Sequence, residues 1–157
     1  KIYQYSGKGT NLSSVSGAMG YGVPAAVMAS IVHKDRSVVC FSGDGDFLMN
    51  GQELATAIQY GGKPIILVIN NGLYGTIRMH QQRRHPGRVS GTELVNPDFA
   101  AFAKSFGAYG ETVTCTDDFA GAFERAQNSG LAAVLELQID PESICYNCPP
   151  LSELSAL

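Results

Sequence analysis

Apolar residues in this chain come in short unbroken runs rather than in a two-residue alternation. Val38-Val39-Cys40-Phe41, Pro64 to Ile69 and Ala132 to Leu135 are three such runs. Runs of this kind mark strands buried on both faces. Stretches of helical character separate them. "GVPAAVMASIVHKD" predicts a helix from Gly22 to about Lys34, with Pro24 in its first turn. Its residues are nearly all small and apolar, so the helix is expected to be buried on most sides. A strand is expected from about Ser37 to Phe41. Asn50 is a plausible N-cap for a helix over Gln52 to Tyr60, with Glu53 at the capping-box position. Gly61-Gly62 stops that helix. "KPIILVINN" is the next strand, followed by the glycine-rich turn "GLYGT" and a helix-like "IRMHQQ". A polar, basic loop over residues 83–95 leads to Asn96-Pro97, read as the cap of a helix over "PDFAAFAKSFG". "ETVTC" is a strand, Thr116 caps "DDFAGAFERAQNSG", and Ala133 to Ile139 is the last strand.

The order is therefore α-β-α-β-α-α-β-α-β. Strands that alternate with helices and are apolar throughout predict an α/β fold: a doubly wound, mostly parallel sheet with helices on both faces. The length of 157 residues suits one domain with one core over residues 1–157. The chain starts at Lys1 without an initiating Met, and is read as part of a longer polypeptide or as a processed product.

Composition narrows the function only by exclusion. With 11 basic against 14 acidic residues the formal net charge is −3, which gives no electrostatic footprint for nucleic acid. No apolar run approaches the roughly 20 residues of a membrane span, and the polar start carries no signal-peptide pattern, so a cytoplasmic protein is expected. Cys40 lies in an apolar run and is read as a small buried hydrophobe. Cys145 and Cys148 form a lone C-x-x-C; without a second pair it is read as a disulfide or as two free thiols rather than a zinc site. His80, His85, Arg83, Arg84 and Arg88 are read as solvated, although the arginines could also meet an anionic substrate.

The informative stretch opens with Gly43-Asp44-Gly45 and closes with Asn70-Asn71. A β-α-β unit lies between, so both ends fall just past the carboxyl ends of parallel strands. Such strands are about 4.8 Å apart when adjacent and about 10 Å apart when one intervenes, so the two side chains can reach one ion. Ligands bind at these strand ends. One carboxylate and one amide oxygen are hard donors that suit Mg²⁺ or Ca²⁺ rather than zinc or copper. Gly43, Gly45, Gly72 and Gly75 let the backbone approach a ligand closely, and free amides at a helix start favour an anion. The combination predicts a metal-bridged diphosphate.

Gly43-Asp44-Gly45, the interval 46–69 and Asn70-Asn71 resemble the thiamine-diphosphate motif. "SGAMGYGVPAA" upstream and "NNGLYGTIRMHQ" downstream resemble the C-terminal cofactor domain of acetolactate-synthase-like enzymes, over most of residues 14 to 140. Asn-Asn-Gly, in place of Asn-Asn-Glu, looks more like benzoylformate-decarboxylase-type enzymes. The resemblance implies the thiamine-diphosphate-binding fold, Mg²⁺ and thiamine diphosphate as cofactors, and decarboxylation or carboligation of 2-oxo acids. It implies Mg²⁺ ligation by the Asp44 and Asn71 side chains and the Leu73 carbonyl. Gly45, Asp46, Tyr74 and Gly75 would hold the diphosphate. Gly17, Ala18 and Met19 would meet the rest of the cofactor, with Met19 as an apolar wedge and the Gly17 carbonyl as acceptor. Met49 and Ile77 would line the substrate side. The activating Glu of such enzymes comes from a separate pyrimidine-binding domain, and none of Glu53, Glu93 or Glu111 has a matching context. The chain by itself is then expected to be inactive, with no catalytic residue of its own. Its expected partners are a pyrimidine-binding domain of the same or another chain and further copies in a homodimer or homotetramer. Two rivals stand beside this reading: a cofactor-binding subunit of a split decarboxylase, and a Mg²⁺-dependent phosphatase. The phosphatase would also need an Asp-x-Asp nucleophile after an early strand, and none is found upstream.

Overall fold

A computed structural model describes residue 7 and residues 9–145 and 147–154; the expected domain over residues 1–157 extends past these at both ends. Its strands are β1 (Val39–Gly43), β2 (Ile65–Asn70), β3 (Tyr109–Val113) and β4 (Ala133–Gln138). Its α-helices are α1 (Gly22–Val32), α2 (Asp44–Asn50), α3 (Leu54–Tyr60), α4 (Gly75–Arg84), α5 (Phe99–Ser105) and α6 (Phe119–Asn128). The strands form one sheet in the order β1-β2-β4-β3, and every pairing is parallel. The expected doubly wound α/β architecture is the observed one.

Unbroken apolar runs become the two central strands because both their faces are covered. The first four residues of β2 and of β4 are all buried. On one face Ile66, Val68 and Val134 pack with Val23 and Val27 of α1, Phe47 of α2, Leu54 and Ala57 of α3 and Phe99 and Ala103 of α5. On the other, Ile65, Leu67, Ala133 and Leu135 pack with Ala122 and Ala126 of α6. Val39 and Phe41 pair in register with Ile65 and Leu67, yet Phe41 is 72% exposed, because β1 is an edge strand on a face where α6 supplies the cover. No helix among the described residues is long and apolar enough to cross a membrane.

Several local expectations are corrected. The first strand starts at Val39 and runs through Gly43, and Asp44 opens α2, an element that the sequence pattern does not reveal. Seven residues with an internal glycine are a poor helix in isolation. Phe47 explains its survival: it is fully buried, edge-on to Phe99 at 5.4 Å and to Phe102 at 5.8 Å. Asn50 makes no cap hydrogen bond and instead donates Nδ2 to the Gly20 carbonyl at 2.7 Å. Glu53 accepts from Thr56 rather than closing a capping box. The cap of α5 is Asp98, which accepts from the Ala101 amide, so Asn96 is released for other work. Thr116 opens a 3₁₀ turn and does not cap α6.

The cysteines behave as read. Cys40 is buried, and burial, reinforced by the Asp46 charge, pushes its thiol up to about 11, so it is no nucleophile. Cys145 and Cys148 are joined as a disulfide. His80, His85, Arg84 and Arg88 are exposed and Arg83 is half-buried.

Phe47 couples α2 to α5 and so holds the segment that carries Asp44. Phe47→Ala should destabilise the fold by about 3–5 kcal/mol, measured as a fall in the urea midpoint at unchanged slope.

Candidate functional site

Two adjacent parallel strands deliver the two candidate metal ligands. Gly43, the end of β1, pairs with Ile69 of β2, so Asp44 and Asn71 leave neighbouring strand ends. Asp44 is 2% exposed. Its Oδ2 accepts the Gly72 amide at 2.8 Å and Asn96 Nδ2 at 2.8 Å, while Oδ1 accepts the Gly45 amide at 2.9 Å. A buried carboxylate is tolerated only when donors surround it, and these three supply that condition. Asn71 Oδ1 accepts the Leu73 amide at 3.1 Å, which turns the amide oxygen inward on its own turn.

Asn96 reaches Asp44 because the loop after α4 returns to the strand ends. Tyr74 donates its amide to the Thr92 carbonyl, Leu94 donates to the Gly72 carbonyl, and Leu73 and Glu93 form an isolated antiparallel bridge. Residues 92–94 thus run alongside residues 72–74. Asn96 also donates Nδ2 to Asn70 Oδ1 at 2.8 Å, and Asn70 donates its own Nδ2 to Glu136 Oε1 at 2.6 Å. Thr112 donates its hydroxyl to Glu136 Oε2 at 2.9 Å. A polar row therefore crosses the sheet at its carboxyl edge: Thr112 on β3, Glu136 on β4, Asn70 on β2, then Asn96 and Asp44. Sequence reasoning missed Asn96, Glu136, Thr112 and the side-chain role of Asn70. A signal existed for one of them: an acid inside the run "AAVLELQI" is 4% exposed and needs a partner.

Asp46 joins the turn that carries Gly17, Ala18 and Met19 to the sheet. Its Oδ1 accepts the Gly20 amide at 2.5 Å and its Oδ2 accepts the Ser42 hydroxyl. That carboxylate clamps the turn after Met19 to the end of β1, with one donor on each oxygen. Gly17 lies in this turn with φ +69°, and the Ala18 amide donates to Ser14 Oγ at 2.9 Å. Met19 is 39% exposed, so it is not simple core. Met49 lies beside the turn, since a Cβ on Gly20 would come within 3.0 Å of Met49 Cβ. Ile77, on the first turn of α4, is half exposed.

The residues present fit a diphosphate held through a hard cation. Asp44 and Asn71 are oxygen donors of the right class, and Asp44 Oδ1 keeps accepting capacity beyond its one amide partner. Among the described residues no group of three or more His, Cys, Asp or Glu side chains converges. Side chains of the protein, rather than open space, lie over Gly45 and Gly75, so the expected close approach of a ligand to these two glycines is corrected to internal packing. A Cβ on Gly45 would lie 2.3 Å from the Tyr74 ring, and one on Gly75 would lie 3.0 Å from Asn71 Nδ2.

Comparison with known proteins shows the family. Residues 2–137 match the family model described as "Thiamine pyrophosphate enzyme, C-terminal TPP binding domain". The chain is 39% identical over 140 residues to the acetolactate synthase isozyme 2 large subunit of Escherichia coli, covering 88% of this chain and 26% of that protein. It is 34% identical over 142 residues to the acetolactate synthase large subunit of Parasynechococcus marenigrum, covering 89% and 23%. Among solved structures, a thiamine diphosphate-dependent 4-hydroxybenzoylformate decarboxylase from Rhodococcus jostii superposes with a TM-score of 0.75 at 32% identity, over 80% of this chain and 24% of that one. The chain belongs to the thiamine pyrophosphate enzyme family, as its C-terminal, cofactor-binding domain. It spans about a quarter of the length of these relatives.

Gly75→Ala should push on Asn71, whose amide is already pinned by Leu73. The expected result is a Mg²⁺ affinity about tenfold weaker in the presence of thiamine diphosphate, read by calorimetry, with little change in unfolding temperature in EDTA.

Proposed function

We propose that this chain is the thiamine-diphosphate- and Mg²⁺-binding module of an enzyme that decarboxylates or carboligates 2-oxo acids. The carrying observation is the pair of hard oxygen donors, Asp44 and Asn71, just past the ends of adjacent parallel strands. Asp44, Asn71 and the Leu73 carbonyl hold Mg²⁺. The backbone around Gly45, Asp46, Tyr74 and Gly75 holds the diphosphate. Gly17, Ala18 and Met19 orient the remainder, with Met19 as the apolar wedge. Thiamine diphosphate supplies an electron sink for cleaving or forming the carbon–carbon bond beside the 2-oxo acid's carbonyl. Met49 and Ile77 give the substrate side an apolar lining, which favours loss of a carboxylate's charge there.

Supporting the 2-oxo acid class are the acetolactate synthases and the 4-hydroxybenzoylformate decarboxylase to which the chain is similar. Since the chain spans about a quarter of those proteins, the activating Glu is assigned to a pyrimidine-binding domain outside residues 1–157. Assembly as a homodimer or homotetramer belongs to the same proposal.

Calorimetric titration of thiamine diphosphate, with Mg²⁺ and with EDTA, tests the reading. Ion and cofactor should each strengthen the other, because the ion bridges protein and phosphates. Asp44→Ala should abolish that coupling. Equal cofactor affinity in EDTA and in Mg²⁺ would refute the site. A separate assay concerns completeness: residues 1–157 supplied with both cofactors should release no CO₂ from pyruvate or benzoylformate. Turnover there would place an activating acid within this chain.

A further inference from the structure

We propose that Asn96 is a positioning residue for the metal ligand Asp44, anchored through Asn70 to Glu136 and Thr112 in the sheet. The inference rests on the reading of Asp44 as a Mg²⁺ ligand. Asn96 directs its side-chain N–H groups at two oxygens, Asp44 Oδ2 and Asn70 Oδ1, each at 2.8 Å. Its own Oδ1 is buried and, among the described residues, has no hydrogen-bond partner. Leaving an acceptor orphaned is costly, and turning the amide over would be the usual remedy. Here that remedy is closed, because a turned amide would set Asn96 Oδ1 against both of those oxygens.

The orientation is fixed from the far side as well. Asn70 Oδ1 receives the Gly72 amide at 3.1 Å, and Asn70 Nδ2 is committed to Glu136 Oε1. Glu136 is held in turn by Thr112. Each amide in the row has one allowed sense, and the sense is set by a carboxylate buried in β4. The consequence falls on Asp44. Oδ2 carries two donors and is filled, while Oδ1 carries the Gly45 amide alone. A carboxylate has about four lone-pair positions, so the row leaves one on Oδ1 for a cation and stops the group from rotating its oxygens. Packing alone does not account for Asn96: a side chain kept for shape would not retain an orphaned oxygen.

The experiment titrates Mg²⁺ calorimetrically into the protein in the presence of thiamine diphosphate, and follows thermal unfolding in EDTA as an independent measure of folding. Asn96→Leu keeps the branched shape and removes both donors. It should weaken Mg²⁺ binding by about 10–100-fold, the range typical of groups that orient metal ligands. Glu136→Gln keeps an oxygen toward Asn70 and gains a donor toward Thr112, so it should bind Mg²⁺ close to the wild-type value. Glu136→Leu breaks the row two hydrogen bonds away from Asn96 and should weaken binding, which keeps the test open should Asn96→Leu fail to fold. Wild-type Mg²⁺ affinity in Asn96→Leu or Glu136→Leu, alongside a lower unfolding temperature in EDTA, would assign the row to folding and overturn the proposal. Asp44→Ala separates the two levels. Its loss of Mg²⁺ binding with no loss in Asn96→Leu rejects positioning alone, whereas unchanged binding in Asp44→Ala rejects the metal reading and this proposal with it.

Discussion

A carboxylate held out of water at the end of a parallel sheet is the constraint on which this structure turns. Asp44 is buried at the point where β1 passes into α2, and a charge there survives only if donors fill its oxygens. Those donors come from three separate places in the chain: the Gly45 amide, the Gly72 amide after β2 and the Asn96 side chain before α5. Meeting the demand of one side chain therefore fixes the end of one strand, the turn after the next and the return of a long loop. The same demand explains why the loop after α4 lies antiparallel to residues 72–74 instead of spreading into solvent.

The fold was legible because its physics is local and repetitive. Unbroken apolar runs separated by helical stretches have one economical arrangement, a parallel sheet covered on both faces, and β2 and β4 realise it. The pair Asp44 and Asn71 was legible because residue type and spacing together specify hard oxygen donors on neighbouring strand ends. What escaped the sequence depends on contacts between distant residues. α2 is held by Phe47 between Phe99 and Phe102, partners more than fifty residues away in the chain. Asn96 precedes a proline and has the composition of a helix cap, yet Asp98, two residues on, takes that role and frees Asn96 for Asp44. Glu136 gave a signal, an acid in a buried strand, but its partners Asn70 and Thr112 follow only from strand order.

Division of labour within the site follows from the same contacts. Asp44 and Asp46 flank one glycine and have opposite fates. Asp44 takes three donors, two on Oδ2 and one on Oδ1, whereas Asp46 takes one on each oxygen, from Gly20 and Ser42. The second acid thus ties the turn after Met19 to the end of β1, and the first ties two strand ends to the segment before α5. The chain belongs to the thiamine pyrophosphate enzyme family as its C-terminal TPP binding domain.

A crystal structure of the protein with Mg²⁺ and thiamine diphosphate tests the central claim most directly. The account predicts one ion with oxygen ligands at about 2.0–2.1 Å, among them Asp44 Oδ1 and Asn71 Oδ1, with Asp44 Oδ2 still receiving Gly72 and Asn96. An ion bound away from Asp44, or one that displaces Asn96 from Oδ2, would contradict it.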